Sequence, residues 1–190
     1  PRIPKVLLEH DEVALALEAA PESLRGGAGV WVLTPAGYRE WRKATNGYTC
    51  VVHRDEVEAI KPTCYDSEGT ATILPAVVYF GDRLMAGAPV STIRREVEER
   101  LRDGRFRAPS RAGVAFMLSP RIVNVIDATT GEKGTAPPHY MIYAPHVTNA
   151  DLRLPMEAYE REPWLPYVAY TGAHGFIIVT VPDATTPKGR

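Results

Sequence analysis

Cys50 and Cys64 are the only cysteines in the chain, and their spacing constrains the fold more than any other feature. Cys50 lies in Tyr48 to His53, a segment of strand character, and Cys64 follows a short connection. A bridge between them closes a loop of about 15 residues, worth roughly 3 kcal/mol in the chain-entropy model. Such a bridge persists in an oxidising compartment; in the cytosol the same thiols stay reduced and pack as two small buried residues. Both readings stand on the residues alone. The bridge is the expectation carried forward, and with it a periplasmic or secreted location. A chain that opens at Pro1 without a basic and then apolar leader fits a mature exported form and fits a trimmed chain equally.

A chain of 190 residues, 45% of them hydrophobic, can bury one sizeable core. We therefore expect one domain over 1–182 and a disordered tail over 183–190. With 22 basic and 23 acidic residues the formal net charge is -1, which gives no field to gather a polyanion and argues against nucleic acid as partner. The longest nearly uncharged apolar run, Ala71 to Phe80, is interrupted by Pro75 and is about half of the ~20 residues that cross a bilayer. No membrane span is expected.

Local signals define the elements. Residues 11 to 20 set Val13, Leu17 and intervening alanines on one side of a short helix that Pro21 ends. Gly26-Gly27-Ala28-Gly29 reads as a flexible entry to a strand; it precedes a strand instead of opening a helix, so it is no dinucleotide fingerprint. Strands are expected at Val30 to Thr34, Tyr38 to Ala44 and Tyr48 to His53. Asn46-Gly47 is the preferred pair for a type I′ turn, which predicts a hairpin between the last two and three antiparallel strands in all. Ala76 to Ala86 and the stretch from Ser91 to Gly104, with Ile93, Val97 and Leu101 at helical spacing, read as helices. Arg102, Arg105, Arg107 and Arg111 read as a solvated helix end in preference to an anion site. Val114 to Leu118, Ile122 to Ile126, Tyr140 to Tyr143 and Phe176 to Val181 complete the strands, with one short helix around Met156 to Glu160. The pattern is α+β: a single domain with a mainly antiparallel sheet and helices packed on one face.

Signatures of known chemistry, such as a zincin helix, a nucleophile elbow or a phosphate loop, are absent from the sequence. What remains is assembled from separate segments. On a strand beginning at His139, alternate residues share a face, so His139, Met141 and Tyr143 point the same way. His139 is the candidate general acid or base, against the plainer reading of a strand-end imidazole bonded to backbone. Glu68 lies between polar residues and an apolar helix and is the candidate to orient His139 or activate water. Asp66 in the same segment is open to that role too, against the plainer reading that Asp66 or Ser67 caps the turn leading to the Ala76 helix. Three histidines with a carboxylate suit a first-row metal, and His53, His146 and His174 are available alongside His139 and Glu68. They sit on separate segments without diagnostic spacing, so no metal is assigned. Cys64 as a nucleophile with His139 as base conflicts with the bridge.

Thr45 to Cys50, Cys64 to Gly69, Gly113 to Ser119, and Pro137 to His139 through Thr148 to Asp151 resemble a family of uncharacterised exported bacterial proteins with no assigned reaction. The resemblance runs from about Ala19 to Val181. It implies export and a single domain, and its segments hold Asn46, Glu68, His139, Tyr143 and Asp151. The combined expectation is a pocket walled by Tyr48, Tyr65 and Tyr143, with Asn46 and Asp151 as further ligand contacts. In it, His139, Glu68 and Tyr143 act on a small molecule as a hydrolase or lyase. The alternative is an extracytoplasmic module that holds a small ligand without turning it over. No cofactor and no oligomeric state follow from the sequence.

Overall fold

The computed structural model describes residues 2–181; the tail expected at 183–190 lies outside them. Element order is α1 (Glu9–Glu18), α2 (Glu22–Arg25), β1 (Gly29–Thr34), β2 (Gly37–Arg42), β3 (Thr49–His53), β4 (Lys61–Tyr65), α3 (Ser67–Thr72), α4 (Leu74–Met85) and α5 (Val90–Arg102), then β5 (Val114–Met117), β6 (Asn124–Asp127), β7 (Glu132–Gly134), β8 (His139–Tyr143), α6 (Asn149–Leu152), α7 (Met156–Arg161), β9 (Tyr167–Tyr170) and β10 (Phe176–Thr180). Eight strands form one sheet in the order β2-β1-β3-β4-β5-β8-β10-β9, and β6 and β7 form a separate two-stranded ribbon. The fold is α+β with a mostly antiparallel sheet, as the sequence pattern predicts.

The alternation of side chains along the central strands sorts the core into two layers. Val30, Val32, Cys50, Val52 and Cys64 face α1, where Leu15, Ala16, Ala19 and Ala20 meet them. Leu33, Val51, Tyr65, Ala115, Met117, Met141 and Ile178 face the other way, toward Ile73, Leu74 and Val77 at the start of α4. The larger helices thus share one face, as expected, and α1 adds cover to the opposite one. On α1 the structure buries Glu12, Leu15 and Ala16, with Val13 and Leu17 partly buried beside them.

The predicted hairpin across Asn46-Gly47 is not formed. β1 lies between β2 and β3, antiparallel to the first and parallel to the second. The chain therefore leaves β2, crosses the entry of β1 and returns on its far side. The crossing is close: Thr45 N donates to Gly27 O, and Gly29 N donates to Tyr48 O. A Cβ at Gly29 would stand 2.9 Å from Ala44 N, and one at Gly27 3.0 Å from Thr45 Oγ1. The glycine run is a gap cut for the crossing chain. Asn46 holds the loop with its side chain, donating from Nδ2 to Leu24 O (2.8 Å) and accepting at Oδ1 from Tyr48 N (3.1 Å), and only Gly47 of the pair has positive φ.

Pro62 sits inside β4, where a residue without an N–H normally disqualifies a strand. It is tolerated because the β4–β5 ladder covers only Cys64 and Tyr65, so at Pro62 β4 has one strand partner, β3. The Cys50–Cys64 disulfide is formed, between residues directly paired across β3 and β4, and both cysteines are fully buried. Among the described residues no helix is long and apolar enough to cross a membrane.

Candidate functional site

Strand pairing alone assembles a row of polar side chains on the α4 face. His53 is paired with Lys61 and Val51 with Thr63 across β3 and β4. Met117 is paired with His139 across β5 and β8, and His139 with Thr180 across β8 and β10. Paired residues share a face, so His53, Lys61, Thr63, Met117 and His139 stand in line at one end of the sheet. The disulfide lies on the opposite face of the same two strands, three residues from the His53–Lys61 pair, and pins its register.

This row opens into a cavity of about 570 Å³. Its shape follows from where α4 is tied. Asp82 accepts from Tyr38 N (2.6 Å) at the edge strand β2, and Gly81 lies so close to the Tyr38 ring that a Cβ there would overlap it. α4 is drawn toward β2 and β3, and over the floor made by β5, β8 and β10 a space remains that Arg94, Val97, Glu98 and Leu101 of α5 also line. Met117, Met141 and Ile178 form that floor, Val77 and Phe80 of α4 form one wall, and Tyr167 and Tyr170 of β9 form another.

Charged and titratable groups collect at the β3–β4 end. Lys61 Nζ pairs with Asp55 Oδ2 (2.5 Å), while Asp55 Oδ1 is buried with no partner among the described residues. Burial alone would raise the Asp55 carboxyl, but His53 and the Lys61 ammonium outweigh it and its pKa is lowered. Burial lowers His53 to about 4, so its imidazole is neutral at pH 7. His139 Nδ1 lies 2.8 Å from Pro137 O, and His174 Nε2 lies 3.0 Å from Arg107 O. A carbonyl only accepts, so these nitrogens carry the protons and the opposite ring nitrogens present lone pairs. Burial lowers the pKa of both rings.

The expected site residues are distributed differently from the sequence expectation. His139 and Tyr65 line the cavity. Glu68 does not: Oε1 accepts from Ser110 N (2.7 Å) and Oε2 from Arg111 Nε (3.0 Å), and the Ser110 amide, with Arg111, holds its pKa low against burial. The carboxylate fastens the 110–111 loop to α3, so it is neither free nor beside His139. Tyr143 shares a face with His139, yet it lies four positions further along β8, with Oη 2.9 Å from Asp66 Oδ1 and 3.0 Å from Val114 O. Its contacts are structural, and burial pushes its phenol up. Tyr48 packs on Phe116, ring centroids 6.0 Å apart, on the α1 face. Asn46 holds the crossing loop, and Asp151 closes a capping box with Thr148 at α6. His53 and His174 join His139 around the cavity, while His146 does not line it. Among the described residues no three His, Cys, Asp or Glu side chains converge closely enough to hold a metal ion.

Sequence reasoning missed Asp55, Lys61, Tyr167 and Tyr170. The first two become visible only once β3 is paired with β4, and Pro62 hides β4. The two tyrosines lie on β9, where the sequence pattern predicts no strand. In comparisons with known proteins, the chain matches no family model, no curated protein and no solved structure.

Proposed function

We propose that this protein is an extracytoplasmic module that holds a small, largely apolar molecule in the cavity between the β4–β10 floor and α4. The carrying observation is the cavity itself, about 570 Å³, lined mostly by apolar side chains such as Met117, Met141 and Ile178 together with a few polar ones such as Thr63, His139 and His174, the usual makeup of a small-ligand site. Burial lowers the pKa of His139 and His174 while Pro137 O and Arg107 O fix their rings, and Glu68, the expected partner of His139, is engaged elsewhere. The location rests on the Cys50–Cys64 bridge, which is typical of oxidising compartments, and on the resemblance to exported bacterial proteins.

One observation favours a second reading, a hydrolase or lyase. The lone pair of His139 Nε2 is free at neutral pH because burial lowers the ring's pKa, as a general base requires. Here His139 would act without Glu68.

The test uses Nile red, an apolar dye whose emission rises in a dry environment. The wild-type protein should enhance it, and Ile178→Trp, which fills the floor, should abolish most of the enhancement with an intact fold by circular dichroism. Equal enhancement in both proteins would remove the cavity from consideration.

A further inference from the structure

His, Cys, Asp and Glu side chains build no metal cluster among the described residues, but thioether sulfur is a metal ligand too, one that selects soft ions such as Cu(I). The chain has four methionines, and strand register sets two of them beside the histidine of the cavity floor. Met117 on β5 is paired directly with His139 on β8, and Ala115 with Met141. Residues two apart on a strand share a face, so these four side chains mark the corners of a quadrilateral on one side of the sheet. Its corners are about 4.5–5.5 Å apart across the strands, with about 7–8 Å on the Met117–Met141 diagonal, and about 7 Å apart along each strand. The fourth corner holds only the methyl of Ala115, which leaves that diagonal open. Met117, His139 and Met141 are all buried, and all three line the cavity.

The imidazole is set as a ligand. His139 Nδ1 donates to Pro137 O (2.8 Å), so Nε2 carries the lone pair, and a backbone carbonyl on the remote ring nitrogen is what orients histidines on metals. Burial lowers the ring's pKa, which keeps that lone pair free of a proton at neutral pH. We propose that His139, Met117 and Met141 form a three-coordinate site for a soft monovalent cation, Cu(I) or Ag(I). Two thioethers and a neutral imidazole bring no charge and no oxygen, whereas Zn(II) is held by thiolate, imidazole and carboxylate. Harder ligands lie apart: β3, β4, β5 and β8 are consecutive neighbours in the sheet, so His53 is about 14 Å from β8 between backbones, and Asp55 is paired with Lys61. The site goes beyond the apolar-molecule reading above and does not depend on it.

The probe is silver ion in chloride-free buffer, which needs no reductant and meets no free thiol on this chain. Calorimetry on the wild-type protein should show one site per chain. In protein carrying ¹³C-methyl methionine, silver should shift the resonances of Met117 and Met141 and leave that of Met85, which lies at the end of α4 outside the cavity lining. Leucine conserves the volume of methionine, so Met117→Leu and Met141→Leu should stay folded. Each of them, and His139→Phe, should weaken silver binding about tenfold or more, because losing even the outer partner of a metal ligand costs about 10–100-fold. Met85→Leu should bind silver as the wild type does. Cu(I) supplied under anaerobic conditions should displace silver, and Zn(II) should not. If a variant fails to fold, the methyl shifts of the wild type decide. Absence of binding, binding that survives all three substitutions, or a shift at Met85 equal to those at Met117 and Met141 would overturn the site. Displacement by zinc as effective as by Cu(I) would overturn its soft character. Silver failing while Nile red still responds strikes this site alone, and Nile red failing while silver binds strikes the apolar-molecule reading alone.

Discussion

On the α1 face of the sheet, Ala16, Ala19 and Ala20 let a helix backbone descend onto Val30, Cys50 and Cys64, all of them fully buried. On the opposite face α4 is pulled toward β2 by the Asp82–Tyr38 contact, and an open floor is left under Met117, Met141 and Ile178. The same strands therefore carry a close-packed layer on one side and a cavity on the other. Buried charge follows the same division. Arg54 and Glu12, 2% and 1% exposed, complete each other on the α1 side, with Arg54 Nη1 also donating to Val52 O (3.2 Å). One residue further on, Asp55 lines the cavity, pairs through Oδ2 with Lys61 and keeps a buried Oδ1 without a partner among the described residues. The α1 side completes its own buried charges, whereas the cavity side leaves one buried acceptor uncompensated among the described residues, a cost that the fold carries.

The largest effect expected from breaking this contrast is at the ion pair. Glu12→Ala leaves Arg54 charged in the interior, and a guanidinium has no neutral form to retreat to. A stability loss of about 3–5 kcal/mol is expected by denaturant unfolding. Arg54→Met should cost less, because burial already raises the Glu12 carboxyl and the orphaned acid can take up a proton. The double variant Glu12→Leu with Arg54→Met should recover most of the loss. Equal costs for the two single variants would show that the Glu12 carboxyl cannot take up a proton to relieve its burial.

Acid separates the faces more gently. His53, His139 and His174 all have lowered pKa values from burial, and an unfolded histidine titrates near ~6.5. Below that value the unfolded chain takes up more protons than the folded one. The stability these rings provide is complete above pH ~6.5 and is lost as the pH falls through the folded value, about 4 for His53. Glu12 has the opposite sign, since a raised carboxyl pKa favours the folded form as protons bind. Acidification from pH 7 should therefore lower the melting temperature, and amide exchange should quicken first in β8 and β10, beneath the cavity. His53→Leu should flatten the melting profile over that window. A profile that is already flat in the wild type would mean the cavity rings titrate normally.

What the sequence made legible was local. The helical spacing around Ile93 and Val97, the apolar run into α4, and the strands at Val30, Val114, His139 and Phe176 needed nothing beyond their own residues. The disulfide could be expected because Cys50 and Cys64 have no other cysteine to pair with. What failed was nonlocal. Asn46-Gly47 has hairpin chemistry, but the better pairing for β2 is β1, and glycines twenty residues earlier make room for the crossing chain. Glu68 looked free because its partners, Ser110 and Arg111, arrive from a loop beyond α5. His139 was legible as a strand-end histidine, yet the groups that share its cavity are brought there by the order of strands, which no periodicity encodes.

The finest test of the two faces uses one substitution at two places. Ala16 lies in α1 and Ala76 in the first turn of α4, and alanine and leucine have similar helix propensity, so Ala→Leu at either site changes little in the isolated helix. Ala16 is 0% exposed against the central strands. Three added carbons there must push α1 off the sheet, at a cost of about 1–3 kcal/mol. Ala76 borders the cavity, where the added carbons enter existing space and gain contacts, so its stability should stay within about 1 kcal/mol of wild type. Chemical denaturation of the two variants measures the difference directly. If Ala76→Leu costs as much as Ala16→Leu, the space beneath α4 is too tight for a ligand. If it is neutral or stabilising while weakening Nile red binding, the same volume that accepts the leucine is the volume that holds the dye.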